Sequence, residues 1–273
     1  MAKKIIEEST LSAIGNSIRA KTGKTNKIPP LNMPDEISNI QAGGTEPYVE
    51  ETYDSSGNIT KAKFVGHTLI RDSALISCNT IKSVNLPSGI TSIGANAFRG
   101  CTKLVLTSLP SGITSIGANA FSGCTKLGLT SLPSSLNSIG AGAFYNCTNL
   151  DLKRLPSGIT SIGLDTFYNC TKLALTSLPS GVTSIGEYAF YGCNGLSLIS
   201  LPSSITSISN AAFSNCPNLT KITFQGTPTT ISRTTFSSCP KLTTINVPWP
   251  EGEVANAPWG ATNATINYNY TGG

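Results

Sequence analysis

The chain has 273 residues and a formal net charge of +5, and only 12 % of its residues are charged, about half of the usual quarter. Its 34 Ser and 33 Thr residues instead give a polar surface that is rich in hydroxyl groups. The single histidine, His67, excludes any site that needs two imidazoles, and no apolar run reaches the roughly 18 residues of a membrane-spanning helix. The basic excess is too dilute for a nucleic-acid-binding surface. We therefore expect neither nucleic-acid binding nor membrane insertion.

The first 44 residues predict a small helical segment. The apolar residues Leu11, Ile14 and Ile18 recur at helical spacing. A second short helix is predicted from Met33-Pro34 onwards, since proline fits the first turn of a helix. The N-terminus lacks the apolar stretch of a secretory signal peptide, which predicts that the protein is made in the cytoplasm without export.

Residues 45–66 predict a β-hairpin. Two alternating segments, residues 48–53 and 59–64, flank the turn signal Asp54-Ser-Ser-Gly57. Such a hairpin is well placed to cover the first coil of the segment that follows.

Cysteines set the period of the middle of the chain. They recur at one constant interval, at Cys78, Cys101, Cys124, Cys147, Cys170, Cys193, Cys216 and Cys239. Neither a disulfide framework nor a zinc site requires this equal spacing, whereas a structural repeat does. A phenylalanine precedes each cysteine by three positions from Phe98 to Phe236, and residues 87–109 and 110–132 agree at 21 of 23 positions.

Each repeat contains two short strand-like pieces around a Pro-Ser-Gly turn, such as residues 104–109 and 113–116. In the central repeats the apolar residues lie three, five and eight positions after the cysteine. In the first repeat and in the last two repeats they lie three, six and eight positions after it. This difference leaves the strand register of the central repeats open. One unit cannot bury its own apolar side, whereas stacked copies can. We predict a mainly β solenoid of eight 23-residue coils over residues 67–248, with the phenylalanines as its inner spine.

The stacked cysteines are expected about 5 Å apart on successive coils, which is close enough for disulfides. Free cysteine also behaves as a small buried apolar residue. We predict a ladder of buried free thiols, with disulfides or a bound metal as the alternatives. Free thiols suit a reducing site of synthesis.

Residues 249–273 predict a β cap. The indoles of Trp249 and Trp259 can cover the last coil, and residues 265–270 predict a terminal strand. An open solenoid needs caps at both ends. The predicted organisation is therefore a helical attachment segment (1–44), a hairpin cap (45–66), the solenoid (67–248) and this C-terminal cap.

The repeat Pro-Ser-Gly-Ile-Thr-Ser-Ile-Gly-Ala-Asn-Ala-Phe-x-Gly-Cys-Thr-Lys-Leu resembles the BspA-like leucine-rich repeat of bacterial surface proteins. The resemblance covers residues 67–248 and implies a leucine-rich-repeat solenoid. Residues 11–25, followed by Met33-Pro-Asp-Glu-Ile37, are similar to segments of tail and tail-fibre proteins of phages and prophages of Gram-positive bacteria. This second resemblance implies a location in the virion, with residues 1–44 contacting other tail proteins, and the alternative location is a bacterial cell surface.

No catalytic constellation emerges from the sequence. His67 is interpreted as a structural or solvated histidine, and the chain has neither a Gly-rich phosphate loop nor a Gly-x-Ser-x-Gly motif. Asp165 and Glu187 are separated by nearly one repeat and are expected on neighbouring coils, but they are interpreted as solvated charges rather than a glycosidase pair. We predict no enzyme activity, no cofactor and no metal.

A column of tyrosines is the best binding candidate, because it follows the core phenylalanine in three successive repeats. Exposed aromatic rings can stack on sugar rings or anchor a protein partner. The alternative is that the column only covers the convex edge. The candidate ligand-binding residues are Tyr145, Tyr168, Tyr191, Tyr188, Lys153, Arg154, Asp165 and Glu187.

These observations favour a non-enzymatic tail or tail-fibre protein whose solenoid binds a host cell-surface polysaccharide or protein. A structural or decoration protein of the virion and a bacterial surface adhesin are the alternatives. A homo-oligomer is possible, although the helix that carries Leu11, Ile14 and Ile18 is too short to specify a coiled coil.

Overall fold

Strands from equivalent positions of successive repeats pair with one another in parallel, so the backbone advances by one coil with each repeat. The computed structural model describes residues 47–272. In it Ser92 pairs with Ser115, which in turn pairs with Ser138. The predicted leucine-rich-repeat solenoid is confirmed, and the helices predicted in residues 1–44 lie outside the described residues.

Most strands in the described residues are only two to four residues long. They are β1 (Tyr48–Tyr53), β2 (Ile59–Val65), β3 (Leu69–Ile70), β4 (Ser83–Asn85), β5 (Ser92–Ile93), β6 (Ser115–Ile116), β7 (Ser138–Ile139), β8 (Ser161–Ile162), β9 (Ser184–Ile185), β10 (Leu198–Leu201), β11 (Ser207–Ile208), β12 (Lys221–Phe224), β13 (Thr230–Ile231), β14 (Thr244–Asn246) and β15 (Thr265–Asn267).

The N-terminal end of the solenoid is covered by the antiparallel hairpin of β1 and β2. Its turn is held by the Asp54 carboxylate, which accepts hydrogen bonds from the backbone N–H groups of Ser56 and Asn58, both at 2.9 Å. β2 then pairs in parallel with β4, Lys61 opposite Ser83. The hairpin thereby satisfies backbone groups that an open sheet edge would expose.

Two sides of each coil differ in regularity. One side carries a two-residue strand in coil after coil, whereas the other carries named strands only before the central coils (β4) and after them (β10, β12, β14 and β15). The coils between β4 and β10 are those with leucines three, five and eight positions after the cysteine. Inward side chains of a strand are two residues apart, but Leu152 and Leu155 are three apart and both buried. A regular strand cannot bury both residues. The central coils therefore have no regular strand on this side, and this settles the strand register that the sequence left open.

The short strands form two sheets, β3-β5-β6-β7 and β8-β9-β11-β13, with a gap between β7 and β8. The Gly117 N–H donates to the Ile93 carbonyl oxygen at 2.8 Å in the first sheet, and the Gly186 N–H donates to the Ile162 carbonyl oxygen at 2.8 Å in the second. No corresponding bond joins Gly163 to Ile139 in the described part of the chain. We call the boundary between these two residues the seam. Only the backbone near Gly163 is more open there, since an added Cβ would lie 3.5 Å from the Ala141 Cα, whereas a Cβ on Gly117 would lie 2.9 Å from the Ala95 Cα.

The core is a spine of phenylalanines along the solenoid axis. Successive rings stack with centroids 5.0–5.8 Å apart, and all of them are fully buried. The rings are Phe98, Phe121, Phe144, Phe167, Phe190, Phe213 and Phe236. Leucine, isoleucine and cysteine columns surround them. Each coil thus buries its apolar side against its neighbours rather than within itself.

The C-terminal end is closed by two buried indoles. Trp249 packs edge-on against Phe224, with ring centroids 5.1 Å apart, and contacts Trp259 at 6.3 Å. The Trp259 Nε1–H donates to the Ala255 carbonyl oxygen at 2.8 Å, so its one polar atom is satisfied. β15 extends the sheet by pairing with β14.

Candidate functional site: a stacked tyrosine column

Three half-buried tyrosine rings stack face to face on the surface of the central coils. The Tyr145 and Tyr168 ring centroids are 4.6 Å apart, and those of Tyr168 and Tyr191 are 4.8 Å apart, each pair within 10° of parallel. These separations match the spacing of adjacent parallel strands, about 4.8 Å. The three rings, Tyr145, Tyr168 and Tyr191, are called the tyrosine column below.

Backbone hydrogen bonds fix the position of the tyrosine column. The Asn146 N–H donates to the Tyr168 carbonyl oxygen, and the Asn169 N–H to the Tyr191 carbonyl oxygen, both at 2.7 Å. Because each tyrosine occupies the same place in its coil, the repeat places the rings in register. The column is therefore pre-organised and loses little conformational freedom when it binds a ligand.

A fourth tyrosine, Tyr188, lies edge-on beside the column. Its ring centroid is 5.8 Å from that of Tyr191 and 6.4 Å from that of Tyr168. It is 37 % exposed. The backbone of Tyr188 has a φ of +53°, a left-handed conformation that is unusual for a bulky residue.

The acidic candidates lie next to these rings. The Asp165 N–H donates to the Glu187 carbonyl oxygen at 3.0 Å, which places the two residues on adjacent coils. Partial burial and the nearby charge of Glu187 raise the pKa of the Asp165 carboxyl above its usual value. Burial and the neighbouring tyrosines raise the pKa of Tyr168 above its usual value. The site thus offers aromatic ring edges, phenol hydroxyls and carboxylate acceptors.

Six of the eight predicted site residues come together, and two do not. Lys153 and Arg154 belong to another column of the coil, since their equivalents two repeats later, Ile199 and Ser200, form part of β10. The Lys153 ammonium instead pairs with the Asp151 carboxylate at 2.7 Å. Both partners are well exposed to solvent, so this ion pair contributes little to stability.

The remaining candidates for chemistry give no reactive cluster. His67 lies edge-on to Phe64, with ring centroids 5.5 Å apart. Within residues 47–272, no group of three or more His, Cys, Asp or Glu side chains could hold a metal ion. The same residues include no helix long and apolar enough to cross a bilayer.

Sequence reasoning missed a second set of polar residues beside Tyr188. They line an open groove that includes Asn210, Arg233 and Asn256. The signal was present, because Glu187, Asn210 and Arg233 follow one another at the repeat period. This periodic spacing was not informative by itself, because the residue at this position changes from glutamate to asparagine to arginine in successive repeats.

The repeat segment matches one known family. The BspA type leucine rich repeat region matches residues 68–175 and 160–254, in six copies. These matches span well over half of the sequence, and this chain belongs to the BspA type leucine rich repeat family. No curated protein matches the chain significantly.

Several solved structures resemble the solenoid. A leucine rich repeat protein of T. pallidum is 23 % identical, over 71 % of this chain and 87 % of that chain, with a TM-score of 0.41. A leucine rich cell surface protein of Faecalibacterium prausnitzii A2-165 is 20 % identical over 85 % of this chain and 97 % of that chain, with a TM-score of 0.39. A leucine-rich repeat protein of Bacteroides ovatus is 19 % identical over 76 % of this chain and 71 % of that chain, with a TM-score of 0.42.

Proposed function

We propose that this protein is a non-enzymatic, cell-surface-binding solenoid whose tyrosine column contacts a glycan or protein on the target cell. The observation that carries the proposal is the stack of three tyrosine rings at 4.6 and 4.8 Å, flanked by the exposed Tyr188. Tyrosine gives large, rigid contact area together with a hydroxyl that donates and accepts hydrogen bonds.

The sequences of the other coils support the proposal that the tyrosine column contacts the ligand. At the positions of the column tyrosines, other coils have Ile76, Arg99, Ser122, Ser214 and Ser237. Stacking of coils therefore does not require an aromatic ring there. The tyrosines are confined to three adjacent coils, as expected for a patch that contacts a ligand.

We further propose that residues 1–44 attach the solenoid to other tail proteins of a phage virion. The support is the similarity of residues 11–25 and Met33–Ile37 to tail and tail-fibre segments. Attachment through one end leaves the tyrosine column on a projecting surface. A bacterial cell surface is the alternative location, in which case the same column contacts its ligand from there.

Binding of the full-length chain to whole cells and wall polysaccharides of candidate Gram-positive hosts tests the proposal. The test variant carries Tyr145→Ser, Tyr168→Ser and Tyr191→Ser. The matched control carries Lys103→Ser, Lys126→Ser and Lys172→Ser, which lie within two coils of the tyrosines. We expect saturable binding that falls at least tenfold in the tyrosine variant and is kept in the lysine variant. Equal binding by both variants would show that the column is not the contact surface. An absence of binding to any host, with an intact fold by circular dichroism, would favour a structural virion protein.

A further inference from the structure

An open groove begins where the tyrosines end. One coil after Tyr191 the corresponding residue is Ser214, and one coil after Tyr188 it is Ala211. A hollow of about 670 Å³ lies beside Tyr188, and Ala211 lines it where the coil before has the Tyr188 ring. Its lining includes Glu187, Tyr188, Asn210, Arg233, Thr234 and Asn256, and we call it the Tyr188 groove.

The groove carries opposite charges at its two ends. Glu187, Asn210 and Arg233 occupy equivalent positions on three successive coils, so Glu187 and Arg233 are two coil spacings, about 10 Å, apart. Within residues 47–272, no ion pair or side-chain hydrogen bond engages the carboxylate of Glu187 or the guanidinium of Arg233. Both charged groups are therefore available to a ligand, and they are separated by the amide of Asn210.

The backbone at Tyr188 supplies an independent observation. The coil requires a left-handed residue here, since the equivalent positions that share a positive φ include Asn119, Gly142 and Ala211. Glycine and asparagine adopt this conformation readily, whereas a tyrosine adopts it at a cost. The left-handed conformation belongs to the coil, and what is particular to this coil is the bulky ring placed on it. Tyr188 is thus the bulkiest residue found at this position of the repeat, and its ring forms a wall of the Tyr188 groove.

We infer that the Tyr188 groove binds an anionic sugar residue. The apolar face of the sugar ring packs on Tyr188, and its carboxylate or phosphate binds Arg233. One sugar hydroxyl donates to the Glu187 carboxylate, and another accepts from the Asn210 amide NH2, whose oxygen already accepts a hydrogen bond from the Ser232 hydroxyl. A guanidinium matches the planar, two-oxygen edge of these anions better than any other side chain. This inference rests on the proposed function and names the ligand class for the same surface.

The lining favours a sugar over a peptide. Tyr188 and Ala211 are the apolar lining residues, and the others carry hydroxyl, amide or charged groups. A groove that docks an amphipathic peptide presents a row of apolar pockets. A sugar instead combines one apolar face with a rim of hydroxyls, which is the pattern that the Tyr188 groove complements.

Isothermal titration calorimetry on the full-length chain tests the inference with three probes. Trigalacturonic acid supplies sugar carboxylates, glucose 1-phosphate supplies a sugar phosphate, and maltotriose is the neutral control. The test variant is Arg233→Gln, and the matched control is Arg99→Gln, an exposed arginine of another coil. We expect at least one anionic probe to bind tenfold more tightly than maltotriose. Arg233→Gln should weaken that binding at least tenfold, while Arg99→Gln leaves it unchanged.

The outcomes separate this inference from the proposed function. Equal binding of an anionic probe to wild type and Arg233→Gln overturns the role of the groove, and so does maltotriose binding that equals that of the anionic probes. If the chain binds whole cells through the tyrosine column but binds no sugar probe, the groove inference fails and the proposed function stands. If neither cells nor sugars bind, both fail. The better anionic probe decides whether the group on Arg233 is a carboxylate or a phosphate.

Discussion

The Cys147 thiol donates a hydrogen bond to the Phe121 carbonyl oxygen, with 3.1 Å between sulfur and oxygen. The same oxygen accepts the Cys124 N–H at 3.0 Å, so the thiol uses its second lone pair. Equivalent bonds run from Cys124 to Phe98 and from Cys170 to Phe144, both at 3.0 Å. Each of these buried cysteines thus both fills the core and joins its own coil to the previous one.

All eight cysteines should react as free thiols once the chain is unfolded. The structure has every cysteine free, from the half-buried Cys78 to the buried Cys239. Titration with a thiol reagent in denaturant, alongside the intact mass, checks the number and any bound metal. Four disulfide bridges, or a metal that survives purification, would contradict the thiol ladder.

The folded chain should lose stability in alkali. Burial raises the pKa of Cys101 from 9.0 to about 12 and also raises the pKa values of Cys147 and Cys193. Between pH 9 and 12 the unfolded chain therefore binds fewer protons than the folded chain, and the free energy of unfolding falls as pH rises. The expected slope is about 1.4 kcal/mol per pH unit for each of these three thiols. Urea unfolding at several pH values measures it.

The variant Cys101→Ala is the control for this pH dependence. It removes one thiol and should reduce the slope by about 1.4 kcal/mol per pH unit. An identical slope in the wild type and the variant would show that Cys101 does not ionise when the chain unfolds.

Truncation of a central spine ring should destabilise the solenoid strongly. Phe144 is fully buried between Phe121 and Phe167, with centroids 5.7 and 5.6 Å away. Phe144→Ala should lower the free energy of unfolding by about 3–5 kcal/mol, because it leaves a cavity. Tyr145→Ala, next in sequence and half-buried, should cost only about 1 kcal/mol for the lost ring stacking. Urea unfolding of both variants gives the comparison, and equal losses would contradict the assignment of Phe144 to the spine.

The seam can be tested with a pair of glycines. A Cβ on Gly117 would lie 2.5 Å from the Ala95 backbone nitrogen, whereas a Cβ on Gly163 would meet nothing nearer than 3.4 Å. Gly117→Ala should therefore destabilise the chain by at least about 2 kcal/mol through overpacking. Gly163→Ala should change stability by less than about 1 kcal/mol. Thermal or urea unfolding decides, and a large loss in Gly163→Ala would mean that the coils are as close at the seam as elsewhere.

Tyr188→Asn should separate stability from binding. Relief of the left-handed strain, about 1 kcal/mol, offsets the loss of two edge-on ring contacts worth roughly 0.5–1.5 kcal/mol each. The free energy of unfolding should therefore fall by no more than about 2 kcal/mol. Binding to the anionic sugar probes should fall at least tenfold in the same preparation. Retention of full affinity would remove Tyr188 from the site.

The sequence predicted the repeat, its period and its core because these depend on residue type at fixed spacing. Phe98 to Phe236 are apolar and recur once in each repeat after the first, and stacking is the arrangement that buries all of them. The tyrosine column follows from the same arithmetic, since Tyr145, Tyr168 and Tyr191 share one position in the repeat. Its geometry could be anticipated from the spacing of stacked strands alone.

The strand pattern was harder to predict. The leucines at five and eight positions after the cysteine indicated an irregularity, but not that these coils lack a strand on that side. The difference arises because a loop can bury residues three apart, whereas a strand cannot. The Ser-Ile motif did not indicate the seam between Ile139 and Ile162, since both coils keep it.

What the sequence determined by itself was therefore everything that repeats: coil length, the buried columns and which residues lie above one another. The tertiary structure alone decided what depends on how a column changes from coil to coil. It separated Lys153 and Arg154 from the tyrosines, brought Glu187 and Arg233 to the same groove and showed the strained backbone of Tyr188. The physical reason is that the repeat period determines which residues of successive coils lie above one another along the solenoid axis. The size of the side chains and the backbone conformation determine the shape of the surface.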